Sequence, residues 1–144
     1  MSQQREARLV NEWLWLNYNT KPQWHRVRLG PAFDKETARM YKVLLRWADA
    51  VVLNDNEILI IEAKMTPEPG AISQLEFYAQ EFKHTPEFSD YWDFPQRLIF
   101  LTTREDEALH ALASEKNIEY VVFRPDWVNA YDIIRYRLPP LPGE

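Results

Sequence analysis

Asp49, Glu62 and Lys64 are the residues of this chain whose types and spacing could do chemistry. They stand in Arg46-Trp-Ala-Asp-Ala-Val-Val-Leu-Asn-Asp-Asn-Glu-Ile-Leu-Ile-Ile-Glu-Ala-Lys64, which reads as two short apolar strands joined by a polar turn. Asn54-Asp55-Asn56 is turn chemistry, and a tight loop at Asp55-Asn56 pairs 54 with 57 and 53 with 58. Carried outward, that register sets Asp49 directly opposite Glu62. Lys64 lies two residues on, hence on the same face as Glu62. Opposed carboxylates repel, so the pair needs a positive partner; Lys64 supplies one charge and a divalent cation would complete the balance. Two acids and a lysine at one end of a hairpin are the minimal parts of a metal-dependent phosphodiesterase site.

An acid-x-lysine triplet says little by itself. With 22 acids and six lysines among 144 residues, chance supplies about one, and a second, Glu81-Phe82-Lys83, stands in a helix-like segment. Glu62-Ala63-Lys64 differs in closing an apolar strand that pairs with another acid. That combination resembles the PD-(D/E)XK nuclease superfamily, where a metal-binding Asp lies on one core strand and a (Glu/Asp)-x-Lys triplet on the next. The Pro that gives the motif its first letter is Ala48 here. Further on, Gly70 to Phe82 reads as a helix carrying Gln74 and Tyr78, four residues apart and therefore on one face. Their spacing matches the Gln-x-x-x-Tyr element that follows the lysine in the RecB-like branch, a branch close to the resolvases. Both side chains can hold a phosphate or a metal-bound water; the alternative is a surface Gln beside a core-edge Tyr.

The resemblance implies a deoxyribonuclease that uses Mg²⁺ or Mn²⁺. Asp49, Glu62 and the backbone carbonyl of Ala63 would be ligands, and Lys64 would orient the attacking water or stabilise developing charge. DNA is the implied partner, cut as an endonuclease or an exonuclease would cut it, in a homo-oligomer or a larger protein assembly. Small cores of this kind occur in phage and mobile-element proteins and among junction resolvases, so those contexts are implied too. The family often draws a further acid from its N-terminal helix, where Glu6 and Glu12 are available. At about 100° per residue, with Leu9 at zero, the apolar positions Leu9, Trp13, Val10, Leu14 and Leu16 fall near 0, 40, 100, 140 and 340°. Glu6 falls near 60°, inside that stripe, and Glu12 near 300°, on its margin. An acid centred on a core-facing stripe is costly to bury unless paired or bound to metal, which favours Glu6; a frayed first turn would instead leave it in water.

The elements that must position these residues can be read in order. Residues 4–18 form an amphipathic helix, stopped by Lys21-Pro22. Gln23 to Leu29 is a strand on which Arg26 and Arg28 alternate, either towards phosphates or as a solvated face. Residues 34–46 fit both a short helix and a strand leading into Asp49. After the hairpin and the Gln-Tyr helix, residues 84–96 read as an irregular loop. Its aromatics Phe88, Tyr91, Trp92 and Phe94 could be a partner surface, a base-stacking platform or a satellite core. Arg97 to Thr103 is a buried strand, and Thr103-Arg-Glu-Asp106 resembles a capping box opening a helix through Lys116. Glu119 to Phe123 is a strand, and Asp126 caps a last helix from Trp127 to Arg137. A strand that follows a crossover helix cannot be a tight hairpin partner. The expected fold is therefore α/β: a restriction-endonuclease-like core with a central mixed sheet flanked by helices, αβββαβ with an added αβ unit and a C-terminal helix. One domain over residues 1–144 is expected, with a Pro-rich tail at 138–144.

Composition narrows the function classes. The chain is 46% hydrophobic and 14% aromatic, a packed chain and not a disordered one. It has no cysteine, which excludes thiolate metal sites and disulfides and fits a reducing compartment. No apolar run reaches about 20 residues and no signal-like segment opens the chain, so a cytoplasmic protein without membrane partners is expected. Three glycines, at 30, 70 and 143, cannot build a P-loop or a Rossmann fingerprint. His25, His84 and His110 are too scattered for a zinc site. The net charge of −5 runs against the basic habit of nucleic-acid binders. With the aromatic loop, it supports the rival reading of a non-catalytic nuclease-fold interaction module in a larger assembly.

Overall fold

The structure, a computed structural model, describes residues 2–31 and 47–130. The ambiguous stretch 34–46, the end of the last helix and the Pro-rich tail lie outside the described residues. Helix α1 (Ser2–Tyr18) leads into strands β1 (Gln23–Arg28), β2 (Trp47–Asn54) and β3 (Glu57–Lys64). Helix α2 (Pro69–Phe82), strand β4 (Gln96–Thr102), helix α3 (Glu107–Glu115) and strand β5 (Ile118–Val122) follow, and residues 126–130 are helical again. The strands lie in one sheet in sequence order. The pairings β1–β2 and β2–β3 are antiparallel, and β3–β4 and β4–β5 parallel. The α/β mixed sheet flanked by helices is thus as the sequence leads one to expect. Among the described residues no helix is long and apolar enough to cross a membrane.

β3 is covered on both faces, which is why Ile58 to Ala63 are buried without a gap and read as one apolar run. Ile58 and Ile60 face the layer that holds Leu75 and Phe82 of α2 and Leu109 of α3. Leu59, Ile61 and Ala63 face Leu9, Val10 and Leu14 of α1, together with Val128. α2 starts cleanly at Pro69, whose missing N–H would be unpaired there anyway.

The hairpin has the expected turn. Asp55 takes φ 55°, and Asn54 pairs with Glu57 and Leu53 with Ile58. The ladder, however, runs outward only to Ala50–Ile61. In a regular strand Ala48 and Ala50 would share a face, yet Ala48 packs with Val51 on the α2 side and Ala50 with Val52 on the α1 side. β1 slips in step: Trp24 and Val27 both pack towards α2, and Arg26 between them takes φ 51°. Asp49 therefore does not face Glu62 across a regular ladder, as simple hairpin arithmetic requires. Its Oδ2 instead accepts the Ala63 backbone N–H at 2.7 Å, in the place of a strand carbonyl.

Four further expectations are corrected. Leu16 is 67% exposed, so the buried stripe of α1 is Leu9, Val10, Trp13 and Leu14 alone. Residues Pro86–Tyr91 wind into a 3₁₀ helix where an irregular loop is expected. Of the readings open for its aromatics, core filling is realised by Phe88, which stacks on Phe82 at 5.0 Å and meets Trp24 edge-on at 5.1 Å. Thr103 caps no helix: it is buried and donates its hydroxyl to the Met65 carbonyl at 2.6 Å. α3 begins at Glu107, with Asp106 accepting from the Leu109 N–H at 3.0 Å.

Candidate active site

Where β2 and β3 part, a cleft of about 510 Å³ opens, and Glu6, Asp49, Glu62, Lys64, Gln74 and Tyr78 all line it. The six side chains of the expected catalytic set are therefore gathered in one place; Ala63, buried beneath, contributes backbone. Glu62 and Lys64 reach it from the C-terminal end of a parallel-paired strand, the end at which open α/β sheets present their ligands. Glu12 points elsewhere, accepting from the Trp127 indole at 2.9 Å and from Arg8 at 3.4 Å.

Glu62 is 5% exposed. Burial above all, then the charge of Asp49, pushes its carboxyl up to about 9, against the pull of Lys64. Asp49 is raised as well, chiefly by burial, while hydrogen bonds from Ala63 and Glu62 and the charges of Lys64 and Arg26 draw it down. The two carboxyls share a hydrogen bond that favours the proton on Glu62. The repulsion expected of them is thus relieved by a proton in the metal-free protein. Glu62 Oε2 nevertheless remains buried with no hydrogen-bond partner, and a buried acceptor left unmade is expensive.

Glu6 sits partly buried on α1. Burial raises its pKa, with Lys64 and a hydrogen bond from the Met65 backbone opposing. Burial pulls Lys64 down, but Glu6, Glu62, Glu68 and Asp49 together outweigh it, so the ammonium is held charged. Its ion pair with exposed Glu68, at 3.6 Å, is long. Gln74 Oε1 is a second buried oxygen without a partner. Tyr78 is buried, and its hydroxyl donates to the Trp47 carbonyl at 3.0 Å. That hydroxyl also lies in hydrogen-bond reach of Glu62, so the ring braces β2 and the carboxyl pair from below.

Among the described residues no three His, Asp or Glu side chains are arranged to hold a metal ion by themselves. The donors present still fit a hard cation: Glu62 Oε2 lacks a partner, Asp49 is its neighbour, and both are oxygen ligands. Mg²⁺ takes one or two carboxylates and fills its octahedron with water and substrate oxygens.

The cleft is also lined by Arg26, for which the sequence leaves a phosphate-facing reading open, by His25, set aside as a zinc ligand, and by Trp47, which motif reading misses. Trp47 could have been found, being two residues before Asp49 and so on its side of the strand. No sequence signal marks an Arg for a left-handed backbone. His25 is tied at both ring nitrogens, to Asn11 Oδ1 and Gln23 Oε1, each at 2.8 Å.

No family model matches the chain, and no curated protein matches it either. Among solved structures, a repair endonuclease from Pyrococcus abyssi aligns over 82% of this chain and 46% of its own length, with TM-score 0.52 and 14% identity. The EndoMS complex with double-stranded DNA aligns over 82% and 44% at TM-score 0.49 and 16% identity. A protein of unknown function aligns over 92% and 68% at TM-score 0.49 and 14% identity. The last two likenesses are too distant to carry weight. The first shows the fold: an α/β domain of the nuclease-like kind. The chain spans less than half the length of that endonuclease.

Proposed function

We propose that this chain is a metal-dependent nuclease of the PD-(D/E)XK superfamily, in its RecB-like branch, that hydrolyses DNA phosphodiester bonds. The observation that carries the reading is the carboxyl pair at the sheet break, Glu62 buried and Asp49 half-buried beside it. One of their oxygens has no partner, and Lys64 stands in the same cleft. A Mg²⁺ or Mn²⁺ ion would be held by Asp49, Glu62 and the Ala63 carbonyl, and when bound would supply Lewis-acid polarisation and an acidified water. Lys64 orients that water or offsets charge on the phosphoryl oxygens. The charge of Glu6 helps to hold the Lys64 ammonium charged. Gln74 offers its free amide oxygen to a water, and Tyr78 fixes the position of Glu62.

A thermal melt tests the reading. Millimolar Mn²⁺ should raise the melting temperature of the wild type by mass action and leave Asp49→Asn unmoved. An unchanged wild-type curve would count decisively against a metal site. The net charge of −5 favours a second reading, the same fold serving as a non-catalytic part of an assembly. A chain that shifts with Mn²⁺ yet cuts none of a panel of linear, branched and single-stranded DNAs would support it.

A further inference from the structure

Two residues of the cleft, Arg26 and Trp47, are no metal ligands, though the charge of Arg26 acts on Asp49. Arg26 lies mid-strand at φ 51°, in the left-handed region that long side chains avoid. Such an outlier points to function when the surroundings hold it in place. The register, His25 with Ala50 and Val27 with Ala48, sets it opposite Asp49. Its side chain is exposed, and no hydrogen bond or ion pair to a described residue holds the guanidinium. Other arginines are engaged: Arg28 donates to the Pro31 carbonyl at 3.2 Å, and Arg97 binds Glu57 and Glu119.

Trp47 is the second. Its residue is 51% exposed, although Tyr78 pins its backbone carbonyl. Arg28 is its partner across the ladder, and Arg26, two residues before Arg28, lines the same cleft. A fork-shaped cation with no hydrogen-bond partner among the described residues and an exposed indole thus line the cleft beside the carboxyl pair.

On the nuclease reading above, we propose that Arg26 and Trp47 form a nucleotide subsite beside Asp49 and Glu62. The guanidinium grips a phosphate and the indole stacks on a base, so the strand taken is single-stranded at that point. An indole reaches the face of a base inside a duplex only by unstacking it from a neighbour, which is costly, whereas a single strand offers that face directly. A cleft of about 510 Å³ is of the size that takes one small molecule, room for one nucleotide. Stacking also supplies affinity without a basic surface, which an acidic chain needs.

The test is anisotropy of a labelled single strand and a blunt duplex with the full chain in Ca²⁺, beside cleavage in Mn²⁺. Wild type should prefer the single strand. Trp47→Ala should weaken single-strand binding by roughly five- to a hundredfold, and Trp47→Phe should recover much of it. Arg26→Gly should bind more weakly and flatten the log–log salt slope by about 0.7. It should also melt at or above the wild-type temperature, because glycine accepts the backbone that arginine resists. That melt separates a lost contact from a lost fold. A wild type that cuts duplex and single strand equally, or variants with unchanged affinity and slope, would overturn the subsite alone. A wild type that neither binds nor cuts any DNA overturns the nuclease reading and the subsite with it.

Discussion

Glu62 keeps a proton where the unfolded chain would lose it, and that difference is measurable. Its folded pKa is pushed up to about 9 from 4.5, so between those values the native state binds the proton and the unfolded state does not. Linkage then makes stability fall as pH rises through that window, by at most about 1.4 kcal/mol per unit from this group. Asp49 and Glu6, also raised, act in the same direction. In EDTA the melting temperature should therefore be higher at pH 5 than at pH 8, and Glu62→Gln should lose most of the slope. An unaltered slope in that variant would mean the proton resides elsewhere. With Mn²⁺ present the trend should weaken, since ligands must shed protons to bind. Lys64 gives the contrasting case. It is the site's cation and not a ligand, so Lys64→Ala should keep the Mn²⁺-induced shift while cleavage falls by two orders of magnitude or more, within the range for an electrostatic contact to the reacting group. A variant cutting near the wild-type rate would remove Lys64 from the chemistry.

At the scale of elements, α1 decides which acid joins the site. The helical arithmetic placed Glu6 within the apolar stripe, and the exposure of Leu16 narrows that stripe around Glu6 while leaving Glu12 further out. Glu6 lines the cleft; Glu12 is taken up by Trp127 and Arg8. Glu6→Gln should accordingly cut the cleavage rate at least tenfold, with Glu12→Gln within a factor of two; the reverse ranking, read from initial rates, would show that the wrong acid was chosen. The same elements show how far the sequence was legible. Helical periodicity found α1 and α2 nearly to the residue because each buries a stripe, and the hairpin showed as apolar runs about a polar turn, β3 being buried on both faces. What escaped was tertiary in origin. Thr103 fits a capping box locally, but Met65, 38 residues away in sequence, takes its hydroxyl. The paired slip at Arg26 and Asp49 is invisible to any period, because it belongs to two strands at once. That slip is what lifts Asp49 off the ladder and opens the cleft.

For the whole molecule the governing number is the charge of −5. Among the described residues the cleft holds two cations, Arg26 and Lys64, against Glu6, Asp49 and Glu62, so these neutralise few phosphates at once. Counterion release then makes the salt dependence shallow: two contacts correspond to a log–log slope between about −1 and −2. Binding should therefore be weak at low salt and should decline little up to physiological ionic strength, unlike that of proteins with a broad basic face. Titration of a labelled oligonucleotide from 50 to 200 mM salt in Ca²⁺ reads this directly, with the oligonucleotide length fixed. A slope steeper than about −3 would require cations beyond the cleft and would move the DNA path onto another surface. A shallow slope agrees with a strand held by a small number of contacts at the parted ends of β2 and β3, where stacking and the carboxyl pair, and not the field of the whole protein, select what is cut.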